Sequence, residues 1–161
     1  MKQKVEIRPI RIDDLRNVFI MGRERFGAAH AGTAVSWNEK NLAEIITGNP
    51  DLSFVAAYKK GIAGFIIGYL EDDGLNDRTA AVKWLCVGKS ERNDVAGDLV
   101  LALQQCLREK NINKIRVTVS TSSDELIELY QKFGFTESEQ VLIMENFLSK
   151  NKKSGKQKYK E

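Results

Sequence analysis

Histidine occurs once in this 161-residue chain, and cysteine and proline twice each. No apolar run approaches the ~18 residues that a membrane-spanning helix needs. The lone His30 together with Cys86 and Cys106 makes neither a zinc set nor a disulfide framework. Both cysteines sit in apolar patterns, which predicts buried, reduced thiols and no metal. The opening Met1-Lys-Gln-Lys-Val-Glu-Ile-Arg has no apolar h-region, so a secretory leader is not expected. Internal repeats and interior linkers are also missing. These absences together predict a cytoplasmic protein with no membrane contact.

The charge that is present is unevenly placed. The whole chain carries 25 basic and 22 acidic residues, a net of +3. Residues 150–161 hold six of the lysines and one acid, so +5 belongs to this tail and −2 to residues 1–149. The tail is expected to be disordered. Such a segment could hold RNA, the ribosome or an anionic surface by releasing counterions. A short lysine-rich end is more often a solubilising terminus, and here only Tyr159 interleaves an aromatic. With 42% hydrophobic residues, residues 1–149 are expected to form one domain that needs no staple.

Periodicity then orders the chain. Val5–Ile10 alternates as a strand, with Pro9 marking an edge. Asp13 and Asp14 open a helix on which Leu15, Val18, Phe19, Gly22 and Phe26 share a face. Ser36 and Glu39 form a capping-box pattern for a second helix running to about Thr47. Ser53–Tyr58 and Ile62–Leu70 read as a hairpin of buried strands, and Thr79–Val87 as a third strand after an acidic loop. A helix over about 95–110, a strand over 115–119, and a helix from a Ser122/Glu125 capping box to Lys132 follow. Gly134 stops that last helix. Phe135 onward and Val141–Phe147 predict a closing hairpin. The order β-α-α-β-β-β-α-β-α-β-β implies an α/β (α+β) fold with one mixed, mostly antiparallel central sheet and helices on both faces.

Two segments carry the chemistry. Leu85-Cys86-Val87 ends a buried strand; the polar stretch Gly88–Asn93 follows, with Arg92 in it. Asp94, Val95, Ala96, Gly97 and Asp98 then start an amphipathic helix. Amides at a helix start form an anion site, and glycine there lets a phosphate approach closely. The second segment is Leu129-Tyr130-Gln-Lys-Phe133-Gly134-Phe135. One strand separates the two helices, so they leave neighbouring strands, where open α/β sheets place ligands.

Here the sequence resembles the GNAT superfamily of N-acetyltransferases. Val87, Arg92 and Gly97 fill places in that family's coenzyme A motif, with Val100-Leu101 after it, and Leu129, Tyr130, Gly134 and Phe135 complete its Leu-Tyr-x-x-x-Gly-Phe motif. Ile7-Arg8-Pro9 with Asp13-Asp14-Leu15, and the hairpin Val55–Gly64, also look like the family. The resemblance spans roughly residues 5–147. It departs where the first glycine of the phosphate loop is Val95, where Glu91 and Asp94 flank Arg92, and where Ser123 replaces the usual asparagine.

The resemblance implies acetyl transfer from acetyl-CoA directly to a primary amine of a small molecule or a protein, with no metal. It implies that Leu85, Cys86 and Val87 hold the pantetheine and thioester through backbone bonds, beside a splay between two strands. Arg92, Asn93, Asp94, Val95, Ala96, Gly97, Asp98 and Ser123 would then surround the coenzyme, weakly because of Glu91 and Asp94. Tyr130 matches the family's general acid for the leaving thiolate. Packing beside Phe133 is the alternative role for that side chain. No base is evident, since Thr79–Val87 offers no carboxylate; Glu24 and Glu71 are candidates, as is a water chain. His30 would border the acceptor site, although an exposed loop histidine is the plainer reading. Trp37 and Trp84 fit the core better than a ligand platform, and Cys86 lacks a base that would make it a nucleophile. A non-catalytic acyl-CoA-binding or regulatory domain of the same fold stays open as an alternative. Homodimers are common among proteins that look like this.

Overall fold

The computed structural model describes residues 3–27, 37–72, 78–89, 93–146 and 148. Strand β1 (Glu6–Pro9) leads through a 3-10 turn (Ile12–Asp14) into α1 (Leu15–Phe26), and α2 (Glu39–Gly48) follows. Strands β2 (Ser53–Ala57), β3 (Ile62–Glu71) and β4 (Thr79–Val87) run to α3 (Asn93–Glu109). Strand β5 (Lys114–Arg116) and α4 (Asp124–Lys132) complete the described elements. The sheet order is β1-β2-β3-β4-β5, antiparallel except for the β4–β5 pair. Pro9 therefore lies on an edge strand, as its missing amide requires.

Alternation along the strands divides the core in two. Phe54, Ala56, Ile66 and Ala80 face α3 and α4, where they meet Leu99, Val100, Leu103 and Tyr130. Val55, Ala57, Phe65, Ile67, Trp84 and Cys86 face α1 and α2, where they meet Val18, Trp37 and Leu42. Trp37 fills this second layer. It stacks on Phe65, meets Trp84 edge-on at 4.8 Å, and donates its indole N–H to Phe19 O at 3.0 Å. A Cβ on Gly22 would come within 2.0 Å of the Trp37 ring, so only glycine lets α1 sit over it.

The N-terminal corner is held by charge. Arg8 grips the Asp14 carboxylate with two donors, at 2.6 and 2.9 Å, and the Arg11 amide adds a third at 2.8 Å. The Arg8 guanidinium, foremost, pulls the Asp14 pKa below its ordinary value, against the opposing effect of burial.

Local signals mislead at three places. The cap of α2 is Asn38, whose side chain accepts from the Asn41 amide at 2.8 Å, and the expected Ser36 lies outside the described residues. Helix α4 is capped at Ser123 with no side-chain cap bond, and the Ser122 hydroxyl, expected to cap it, pairs with Ser120 at 2.9 Å instead. No strand forms over the described part of the expected closing hairpin, and Val141, Leu142, Ile143 and Met144 are exposed there. Four consecutive apolar side chains meet the compositional test for a strand, but a strand also needs a partner edge, and none is paired with them. Strand β5 likewise stops at Arg116 rather than 119. Residues 147 and 149–161, with the lysine tail, lie outside the described residues.

Two outcomes follow. Gly22→Ala gains up to about 1 kcal/mol of helix propensity but overpacks Trp37, so a net loss of about 1–3 kcal/mol is expected in denaturant melts. Asp14→Asn is expected to cost about 2 kcal/mol at neutral pH. Because the folded pKa of Asp14 is depressed, its stabilisation is full above the unfolded value of about 4 and fades as pH falls through the folded one. The variant should lose that part of the acid limb, which melts at a series of pH values would show.

Candidate active site

The site grows from a failure of pairing. Strand β4 matches β5 only at Thr79↔Lys114, Ala80↔Ile115 and Ala81↔Arg116. Beyond Ala81, β4 continues to Val87 while β5 has ended, so the two chains part. The other side of β4 stays bonded to β3, and Gly88 N–H donates to Ala63 O at 2.8 Å. Backbone groups of successive strand residues point to opposite edges. With Gly88 aimed at β3, Cys86 also faces β3, while Leu85 and Val87 present their N–H and C=O groups to the open edge. Buried backbone groups demand partners, so this edge suits an extended amide-bearing ligand.

Around the opening stand the starts of two helices. The first amides of α3, from Asn93 onward, have no partner within the helix and carry the positive end of its dipole. Val95 and Ala96 turn their side chains into the core, whereas Asp94 and Asp98 are exposed. Gly97 faces neither solvent nor a loop: a Cβ there would lie 2.5 Å from Phe133 Cζ. Its small size thus lets the end of α4 press against α3, a contact that the Gln104 amide donating to Phe133 O at 2.9 Å reinforces. Arg92 and Glu91 lie outside the described residues, as does the side chain of Asn93.

Helix α4 brings Tyr130 to the same cluster as Leu85, Val87, Val117 and Val119, the walls of the parting strands. The ring meets Phe135 edge-on at 5.0 Å, and Gly134, at φ +90°, makes the turn that allows it. Only Ser53 Oγ is a fully enclosed, unpartnered side-chain polar atom among the described residues. The Tyr130 side chain is buried, and no hydrogen bond to its hydroxyl is found among the described residues. Burial raises its pKa well above the ordinary tyrosine value, and the group is a neutral donor at physiological pH.

The structure separates other candidates from this group. The Cys86 thiol lies on the α1/α2 face, 4.0 Å from Met21 O, and burial lifts its pKa to about 11. Cys106 is half-buried, its thiol 3.3 Å from Asp51 O. Glu71 is at the far end of the β3–β4 ladder, paired to Thr79, roughly 25 Å from Val87 at ~3.3 Å per residue. Its carboxylate is also engaged by Arg116 at 3.0 Å. Glu24 is exposed on α1, close enough to Cys86 to perturb its thiol. His30 lies outside the described residues. Ser123 stands half-exposed at the start of α4.

One residue was missed by sequence reasoning. Lys83 is the only charged side chain on β4, and it is unmatched in the register, where Ile67 pairs with Trp84 and Gly68 with Val82. A single lysine in an otherwise apolar strand was the available signal. Among the described residues no group of three or more His, Cys, Asp or Glu could hold a metal, and no helix is long and apolar enough to cross a membrane.

Comparison with known proteins gives a consistent picture. No curated protein matches the chain. Among solved structures, it is similar to an aminoglycoside acetyltransferase from an uncultured soil metagenomic sample. That pair has a TM-score of 0.70 and 20% identity, over 90% of this chain and 97% of that one. It is also similar to the aminoglycoside N-acetyltransferase AAC(6')-Iy in complex with CoA (TM-score 0.73, 19% identity, 91% and 97% covered). A third is Arabidopsis thaliana Naa50 in complex with the bisubstrate analogue CoA-Ac-MVNAL (TM-score 0.66, 20% identity, 84% and 85% covered). At these identities the likeness speaks to the fold. The family model for the acetyltransferase (GNAT) family matches residues 19–135, from α1 through Tyr130 to Phe135. The chain therefore belongs to the GNAT acetyltransferase family.

Proposed function

We propose that the protein is an N-acetyltransferase that moves an acetyl group from acetyl-CoA to a primary amine. The carrying observation is the parting of β4 from β5 between the start of α3 and Tyr130. Leu85 and Val87 would bond the pantetheine amides along the open edge. The first amides of α3 would receive the pyrophosphate, and Ser123 would border the coenzyme from α4. The amine nitrogen forms a bond to the thioester carbon, the C–S bond breaks, and the sulfur leaves with the electron pair. Tyr130 donates its proton toward that sulfur; desolvation of the thiolate in the same pocket raises the sulfur's own basicity and narrows the gap between them. The solved relatives named above are acetyltransferases of aminoglycosides or are bound to a peptide-bearing analogue, so small-molecule and protein amines both belong to the range of acceptors.

A second reading, a non-catalytic acyl-CoA-binding domain, draws support from the missing base. Glu71 is distant and paired to Arg116, and no carboxylate lies on β4. Amine-dependent thiol release from acetyl-CoA distinguishes the two.

Tyr130→Phe should lower kcat about 100-fold while acetyl-CoA affinity stays within about twofold. An unchanged kcat would remove its role. The exposed Asp94 opposes a phosphate at the start of α3. Asp94→Asn should therefore tighten acetyl-CoA about two- to fivefold in calorimetric titration. No heat and no thermal shift with millimolar acetyl-CoA would overturn coenzyme binding itself.

A further inference from the structure

Lys83 is the surplus residue of a β-bulge. On β3, Ile67 and Gly68 are neighbours, yet their partners Trp84 and Val82 are not, and Lys83 stands between them. The bulge falls just past Ala81, the last β4 residue paired with β5, so the strand bends where it becomes free. It also resets the alternation. Ala80 and Val82 lie toward α3, and so do Leu85 and Val87, while Trp84 and Cys86 lie toward α1 and α2. Lys83 joins the α1/α2 side: its Nζ stands 5.6 Å from the centre of the Tyr69 ring and 5.9 Å from that of Trp84.

The ammonium held there has no carboxylate counter-ion among the described residues. Glu71, which approaches the Tyr69 hydroxyl at 3.5 Å, is taken by Arg116. Burial lowers the lysine pKa, and no neighbouring acid offsets that effect. A half-buried cation on two aromatic faces, with no anion beside it among the described residues, is a fixed positive pole.

Its position relative to the coenzyme edge gives the pole a use. The α3/α4 face of the opening is filled by Tyr130, Val95, Leu99 and the residues around them. A ligand along Leu85 and Val87 would meet that packed face on one side, and Lys83, two residues before Leu85, is the one charged side chain that β4 places on the other. We propose that Lys83 determines acceptor specificity by binding a carboxylate carried on the amine substrate. The acceptor class is then a small amino-carboxylate, and polycationic amines are disfavoured by like charge. This rests on the acetyl-transfer reading of the same site.

The test uses matched acceptors, amino acids and their methyl esters, and follows thiol release from acetyl-CoA with the full chain. The wild type should favour the free carboxylate by about tenfold or more in kcat/KM, expressed in KM. Lys83→Met, which keeps the aliphatic stem over the rings, should bring the carboxylate-to-ester ratio within about twofold of one. Lys83→Arg should restore the preference, and Lys83→Glu should reverse it toward esters and polyamines. A ratio equal in wild type and Lys83→Met, or a wild type that prefers the ester, would overturn the role of Lys83 and leave acetyl transfer standing. Absence of thiol release with every amine would overturn acetyl transfer and the acceptor role together.

Discussion

The requirement that backbone groups be paired organises this molecule. Three residue pairs tie β4 to β5, and then the strands diverge. From Val82 onward one edge of β4 carries hydrogen-bonding groups with no strand beside them among the described residues. The fold accommodates this only because the other edge of β4 is bonded to β3 and both faces are covered by helices. The opening is thus a consequence of a short β5, and the starts of α3 and α4 stand beside it because each helix follows one of the two parting strands.

The two faces of the sheet then take different tasks. The α3/α4 side is closely packed, with Gly97 under Phe133 and Tyr130 against Phe135. This rigidity fixes the phenol relative to the open edge. The α1/α2 side is aromatic, centred on Trp37, and it carries the charged groups Lys83, Glu24 and Arg25 around the sheet. One residue of bulge decides which β4 side chains go to which side. A regular strand would have sent Val82 and Trp84 to the same layer.

Much of this was legible in the sequence, for identifiable reasons. The alternation in β2 and β3, the Pro9 edge, the amphipathic α3 and the Gly134 stop are encoded within a few residues, and the sheet honours them. The full Leu129–Phe135 pattern put Tyr130 in the last turns of a helix that stops before Gly134, because helix phase and stop are both local. The bulge at Lys83 was not legible, since it arises from register against β3. The cap of α2 was misread because Ser36 and Asn38 are both good caps and the backbone settles which one starts the helix; at α4 the Ser122 hydroxyl turns back to Ser120 and caps nothing. The closing hairpin is not formed over the described residues: β-propensity in Val141–Met144 states what a strand would accept, but not that the segment pairs with an edge. Gly97 looked like a phosphate-loop glycine, and its contact with Phe133, 36 residues away, cannot be read from spacing.

The edge strand β1 has a bearing on behaviour in concentrated solution. Pro9 withholds an amide from any chain that would extend the sheet, and Glu6 and Arg8 put both signs of charge along the same four residues. At the opposite border β5 offers only three residues, two of them basic and exposed. A growing cross-strand stack therefore finds no long, flat, neutral edge at either end. The sheet is blunted against polymerisation by the same brevity of β5 that leaves β4 open to a ligand.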